Sequence, residues 1–126
     1  MIIGSGAFDG RNGYLLQGTF TFTRQGANSV LFETSDDFFF GTEDGRGTPA
    51  PGFALFRGDP TGLSTAVVSP IALATDFLRI SDQAIAVSGR QSERIGSAVS
   101  VSDFDTLFLW CFRFPMVLGV GAIVGA

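Results

Sequence analysis

Hydrophobic and polar residues alternate along several short segments of the chain, and a period of two predicts β-strands. The clearest alternation lies within residues 14–23, where Phe20 and Phe22 are separated by threonines. Both rings would then lie on one face of a half-buried strand. Residues 29–34 repeat the pattern after a loop around Gly26, so we expect the two strands to pair as a hairpin.

The rest of the chain consists of short apolar segments separated by Gly, Asp and Pro turns. Strands are predicted at residues 53–56, 63–68, 84–88, 97–102, 106–114 and 120–124. Residues 71–80 fit either a short helix or an irregular insertion, because some of their apolar positions match one helical face. The pattern is typical of all-β folds, and we expect a single domain, residues 1–126, folded as an antiparallel β-sandwich.

The predicted strand at residues 106–114 contains the only cysteine and the only tryptophan of the chain. Alternation places Leu107, Leu109, Cys111 and Arg113 on one face of this strand and Phe108, Trp110, Phe112 and Phe114 on the other. Consecutive aromatic positions on the second face predict that it packs against the core. Cys111 is therefore expected on the less buried face, beside Arg113.

This strand resembles the end of the DM13 family of small exported β-domains. The family signature is a Trp-Cys pair in a late strand, then an aromatic residue, a short apolar run and a glycine. The matching positions are Trp110, Cys111, Phe114, Val117 and Gly119. Fainter matches lie at residues 6–8, 18–22, 30–33, 37–38 and 51–56, whereas residues 71–86 have no clear counterpart.

The resemblance implies an extracytoplasmic module with a redox or electron-transfer role, in which Cys111 acts as a thiol or binds a prosthetic group. The start of the chain shows no signal peptide, so export is implied by the resemblance alone. From the residues themselves, Cys111 is a candidate redox thiol influenced by the charge of Arg113. A small buried cysteine beside a tryptophan is also often simple packing, and this alternative stays open.

The absence of histidine removes the usual general base, zinc ligand and haem ligand together. If haem were bound, the thiolate of Cys111 would be its axial ligand, with Met1 or Met116 a poor second. Haem is therefore disfavoured. We expect no metal site, because the paired acids lie in turns and fit no calcium-loop spacing. A stand-alone enzyme is not favoured, since a serine or cysteine nucleophile would lack its base.

Fourteen phenylalanines against one tyrosine form an unusual aromatic set. Phenylalanine has no polar atom, so these rings are buried either inside the domain or against a partner. Phe38, Phe39 and Phe40 cannot all lie on one face of a strand; a segment buried on both sides is the simpler interpretation, and a partner-binding patch is the other. With the long loop at residues 41–52 and the apolar C-terminal segment, they suit a non-catalytic accessory subunit of a larger protein complex.

The charges exclude other partners. The net charge is −4, with eight arginines and no lysine, so no basic cluster favours nucleic acid.

No segment approaches the roughly 20 apolar residues of a membrane helix, so no span is expected, and only association with a membrane complex stays open. Arg57-Gly58-Asp59 matches the tripeptide that integrins bind, but these are ordinary turn residues and a turn is the simpler interpretation.

Two structural features distinguish these hypotheses. A redox module requires Cys111 to be partly exposed, beside a pocket or beside Arg113. A complex subunit requires exposed rings at residues 38–40 or an exposed apolar C-terminal segment.

Overall fold

A computed structural model describes residues 1–27, 29–48, 50–62, 78–80, 85–96, 101–111, 113 and 116–125. Their secondary structure is thirteen strands and one short 3₁₀ helix, Val101–Asp103. The strands are β1 Ile2–Ala7, β2 Asp9–Gly10, β3 Leu15–Gln17, β4 Thr19–Gly26, β5 Ser29–Thr34, β6 Phe39–Gly41, β7 Pro51–Phe56, β8 Leu78–Arg79, β9 Val87–Ser88, β10 Ser92–Gly96, β11 Thr106–Cys111, β12 Met116–Ala122 and β13 Val124–Gly125.

The described strands form three antiparallel sheets and no closed barrel, which confirms the expected all-β, sandwich-like fold class. The first sheet has the order β10-β5-β4-β1-β13, the second β2-β12-β11-β7-β8 and the third β3-β6-β9. The strand predicted at residues 63–68 lies outside the described residues, as do residues 71–77 of the helix or irregular insertion predicted at 71–80. The described end of that segment contains strand β8 and no helix. Residues 97–100 of another predicted strand also lie outside the described residues, while its last two residues belong to the 3₁₀ helix.

The predicted hairpin is the centre of the first sheet. Strands β4 and β5 pair in antiparallel register, with Phe22 opposite Phe32 and Gly26 opposite Ser29. Phe20, Phe22 and Phe32 are all at most 1% exposed, so the rings lie on the inner face as expected. The threonines between them therefore lie on the outer face.

The first and second sheets are joined at a corner, where the chain passes between them twice. β1 of the first sheet leads into β2 of the second, and β12 of the second leads into β13 of the first. β1 pairs with β13, and β2 pairs with β12. The strands approach closely because Gly6 and Gly121 have no side chain. A Cβ on Gly6 would overlap the carbonyl oxygen of Ala122, and a Cβ on Gly121 would lie 2.5 Å from Phe20 Cε1. The corner therefore requires glycine at both positions.

The main core between the sheets is built largely from phenylalanine. Ring centroids are 5.0 Å apart for Phe8 and Phe20 and 5.0 Å apart for Phe32 and Phe53. Phe38 joins the same group, 5.7 Å from the ring of Phe8. Aromatic pairs at these separations add to the stabilisation that burial provides.

The face of β11 that meets the main core is not the one expected from the sequence. Cys111 belongs to the main core with Leu107 and Leu109. The aromatic side of β11, Phe108 and Trp110, forms a second, smaller buried cluster, whose other buried members are Ala54, Val117 and Val120. The prediction that Cys111 lies on the less buried face is wrong. β11 lies between β12 and β7 and is buried on both faces, so alternation alone cannot show which face meets the main core.

Candidate functional site

Cys111 lies inside the main core, where it is 1% exposed. The hydroxyl of the buried Thr48 donates a hydrogen bond to its Sγ at 3.4 Å. Arg113 is exposed, and neither cavity described below is lined by Cys111. The exposure that a redox module requires is therefore not met. The position fits the packing alternative, in which a cysteine serves as a small apolar side chain.

Two of the three consecutive phenylalanines are also core residues. Phe38 is 1% exposed and Phe40 is fully buried, with its ring stacked 5.7 Å from that of Tyr14. Phe39, between them, is half-buried. The interpretation of all three rings as a partner-binding patch is wrong for Phe38 and Phe40, because both side chains belong to the main core. The alternative of a buried segment is the one the structure shows.

The Arg57-Gly58-Asp59 segment is a turn bound to its own chain. Arg57 Nε donates to the carbonyl oxygen of Asp103 at 2.9 Å, and the backbone N–H of Gly58 donates to Asp105 Oδ2 at 2.9 Å. Gly58 has φ +97°, which glycine adopts without strain. These contacts support the turn interpretation.

The first sheet has an outer face that points away from the core, and we call it the threonine face. Residues directly opposite in antiparallel strands project to the same side, so the register defines two rows across the face. One row is Val124, Ser5, Thr21, Glu33 and Ser92; the other is Ile2, Thr23, Leu31 and Arg94. Their inward neighbours on β4 and β5 are buried phenylalanine and valine, which fixes this orientation.

Side-chain chemistry changes along both rows of the threonine face. Each row begins at an exposed aliphatic residue: Ile2 is 48% exposed and Val124 is 63% exposed. Ser and Thr side chains follow, with Leu31 in the second row, and the charged residues Glu33 and Arg94 lie towards the far side, where the first row ends at Ser92. The face therefore combines an apolar end with a polar and charged end.

Arg90 forms ion pairs beside the charged end of the threonine face, with Glu33 of the first row and with Asp36. Its Nε donates to Asp36 Oδ1 at 2.9 Å, and its Nη1 lies 3.3 Å from Glu33 Oε2. The hydrogen bond to Asp36, and then the charge of that carboxylate, raise the pKa of Arg90. A cavity of about 220 Å³ lies beside this ion-pair network, lined in part by Thr19 and Thr21. Exposed ion pairs of this kind contribute little stability, so the network mainly orders side chains at the surface.

A second cavity, of about 370 Å³, lies at the corner between the first two sheets. Its charged lining residues are Asp9, Arg11 and Asp59. No group of three or more acidic or cysteine side chains that could hold a metal ion occurs among the described residues. Within the described ranges the protein also has no helix with the length and apolarity that crossing a bilayer requires.

No family model matches the chain, and no curated protein or solved structure matches it either. The resemblance to DM13 domains therefore stays a prediction that rests on the residues around Trp110 and Cys111.

The sequence contained part of the signal for the threonine face. The alternation that places Phe20 and Phe22 inside also places the neighbouring threonines outside. Ile2 and Val124 could not be identified in this way, because Ile2 reaches the face only through the pairing of β1 with β4, and Val124 only through the pairing of β13 with β1. Local patterns do not show which distant strands become neighbours.

Proposed function

We propose that this domain is a non-catalytic binding module of a protein complex and that the threonine face binds its protein partner. The observation that carries the proposal is the arrangement of the two rows, which begin at exposed Ile2 and Val124 and contain charged residues towards the other side of the sheet. Protein interfaces combine apolar with polar side chains, and these rows provide both. The proposal places Cys111 in the core as a packing residue.

The side chains of the threonine face suit recognition at low entropic cost. Threonine is stiff at χ1 because it is branched at Cβ, and a strand fixes its backbone. A partner that covers Thr21 and Thr23 would therefore immobilise little that is mobile in the free protein. At the charged end, Arg90 is already held by Asp36 and Glu33, so its guanidinium is also in place before binding.

Site-specific photocrosslinking in the source cells tests the proposal. A benzophenone amino acid replaces Thr21 on the threonine face and, as the matched control, Gln17, which is exposed on β3. We expect a discrete crosslinked protein from position 21 and none from position 17. Thr21→Arg should then prevent the same protein from co-purifying, whereas Gln17→Arg should not. Equal crosslinking at both positions, or retention of the partner by Thr21→Arg, would overturn the proposal.

An extracytoplasmic DM13-like module with a redox role at Cys111 is the second candidate. One contact favours it: the hydroxyl of Thr48 donates a hydrogen bond to Sγ of Cys111, so the thiol has a polar neighbour inside the core. The test is an absorption spectrum of protein purified from its source, together with that of Cys111→Ser. A visible band lost in the variant would support this role, and colourless protein with an unreactive native thiol would oppose it.

A further inference from the structure

The corner cavity lies outside the threonine face, and the proposed function makes no use of it. Its volume of about 370 Å³ is at the lower end of the range of roughly 300–1,000 Å³ that small-molecule sites occupy. Its lining includes Ala7, at the end of β1, and Ala122, at the end of β12. Both residues have a single methyl group, so the cavity is open there because the chain carries no larger side chains.

Arg11 provides one charged side of the cavity. Its backbone N–H donates to the carbonyl oxygen of Leu118 at 3.0 Å, which attaches this segment to β12. Nη1 of the guanidinium is occupied, because it contacts Asp9 Oδ2 and donates to the carbonyl oxygen of Gly10 at 3.0 Å. No described residue accepts from Nε or Nη2. These two atoms form the side edge of the guanidinium, which matches the two oxygens of a carboxylate.

Asp59 provides the opposite charge. Its Oδ1 accepts both the backbone N–H of Thr61, at 2.9 Å, and the Thr61 hydroxyl, at 2.5 Å. These bonds, with a smaller contribution from the positive charge of Arg11, lower the pKa of Asp59, so the group is a carboxylate at neutral pH. Oδ2 has no donor among the described residues. The turn is fixed in place, since the Thr106 hydroxyl donates to the carbonyl oxygen of Gly58 at 2.5 Å.

We propose that the corner cavity binds a small α-amino acid in its zwitterionic form. The carboxylate of the ligand would pair with the free edge of Arg11, and its ammonium group would donate to Oδ2 of Asp59. The short side chain of the ligand would lie against the methyl groups of Ala7 and Ala122. The three charged lining residues, Asp9, Arg11 and Asp59, sum to −1, which disfavours a simple anion and favours a ligand that also carries a positive charge.

An NMR titration of the whole chain tests this proposal. Glycine and alanine are added to ¹⁵N-labelled protein, and acetate and methylammonium serve as probes that carry only one of the two charges. We expect saturable shifts of the amides of Gly121, Ala122 and Thr61 with the amino acids. At equal concentration, each single-charge probe should cause shifts at least fivefold smaller.

Three variants complete the experiment. Asp59→Asn should weaken glycine binding at least tenfold, and Asp36→Asn, which removes the same charge from the threonine face, should leave it unchanged. Ala122→Leu should abolish binding by filling the cavity without changing its charge, and it decides the question if Asp59→Asn does not fold. Acetate shifts as large as those of glycine would show an anion site only and would overturn the proposal. Absence of saturable shifts, or full binding by a folded Ala122→Leu variant, would overturn it as well.

Discussion

Replacing Gly6 by alanine should destabilise the fold, because the corner has no room for the added methyl group. The new Cβ would overlap the carbonyl oxygen of Ala122 and lie 2.5 Å from Phe20 Cζ. The first of these is a backbone atom of the crossing strand, and the second belongs to a ring that is 1% exposed, so neither can move aside freely. Overpacking a rigid site costs about 1–3 kcal/mol, and two neighbours that cannot move aside place this variant at about 3 kcal/mol.

The size of this effect on the melting temperature follows from the unfolding entropy. About 2.1 cal/mol/K per residue gives about 0.26 kcal/mol/K for 126 residues. A loss of about 3 kcal/mol should therefore lower Tm by roughly 11 °C. Thermal unfolding followed by far-UV circular dichroism measures the shift, and urea unfolding measures the change in free energy independently.

Gly62→Ala is the matched control, because a Cβ on Gly62 would have no heavy atom of the described part of the chain within 4 Å. It should change the free energy of unfolding by at most about 0.5 kcal/mol in the destabilising direction. If Gly6→Ala were as stable as Gly62→Ala, β1 and β12 would not approach as closely as the structure shows. The account of the corner as a contact that requires glycine would then be refuted.

Three further predictions concern buried and charged side chains. The thiol of Cys111 should react with a thiol reagent more slowly in the native protein than in urea, by on the order of a thousandfold, because reaction requires unfolding of the core. Phe38→Ala should cost about 3–5 kcal/mol and Phe39→Ala roughly 1–2 kcal/mol, since only the first ring is fully buried; equal losses in urea unfolding would contradict the assignment of their faces. The stability that Asp59 contributes is present above its ordinary pKa of 3.8 and is lost as pH falls through its lowered folded-state pKa, so Asp59→Asn should flatten the decrease of Tm with acid below pH 4.

Much of the fold could be predicted because several strands carry their own signal. Phe20 and Phe22 alternate with threonines, so both the strand and its inner face follow from a period of two. The strand predicted at residues 106–114 begins where expected, at Thr106, and the described strand ends at Cys111. Such segments are defined by neighbours in sequence, which the chain displays directly.

The errors share a physical cause. The sequence shows that β11 has two apolar faces, but burial of both faces depends on β7 and β12, which pack beside it. The three consecutive phenylalanines likewise left a partner-binding patch open as an alternative, because the burial of Phe38 and Phe40 depends on the position of β6 between β3 and β9. In each case the missing information is the identity of the neighbouring strand, which local periodicity does not contain.

The alternation that builds the core also makes the threonine face separable from it. Thr21 lies between Phe20 and Phe22 on β4, but its side chain projects to the opposite side of the sheet. Thr21→Arg therefore leaves the packing of both rings unchanged. Like other surface substitutions, it should change the free energy of unfolding by about 0.5 kcal/mol or less, so Tm should stay nearly the same. Loss of a partner by this variant at unchanged Tm would consequently locate the interaction on the threonine face, whereas loss accompanied by a large fall in Tm would show only that the domain had to be folded.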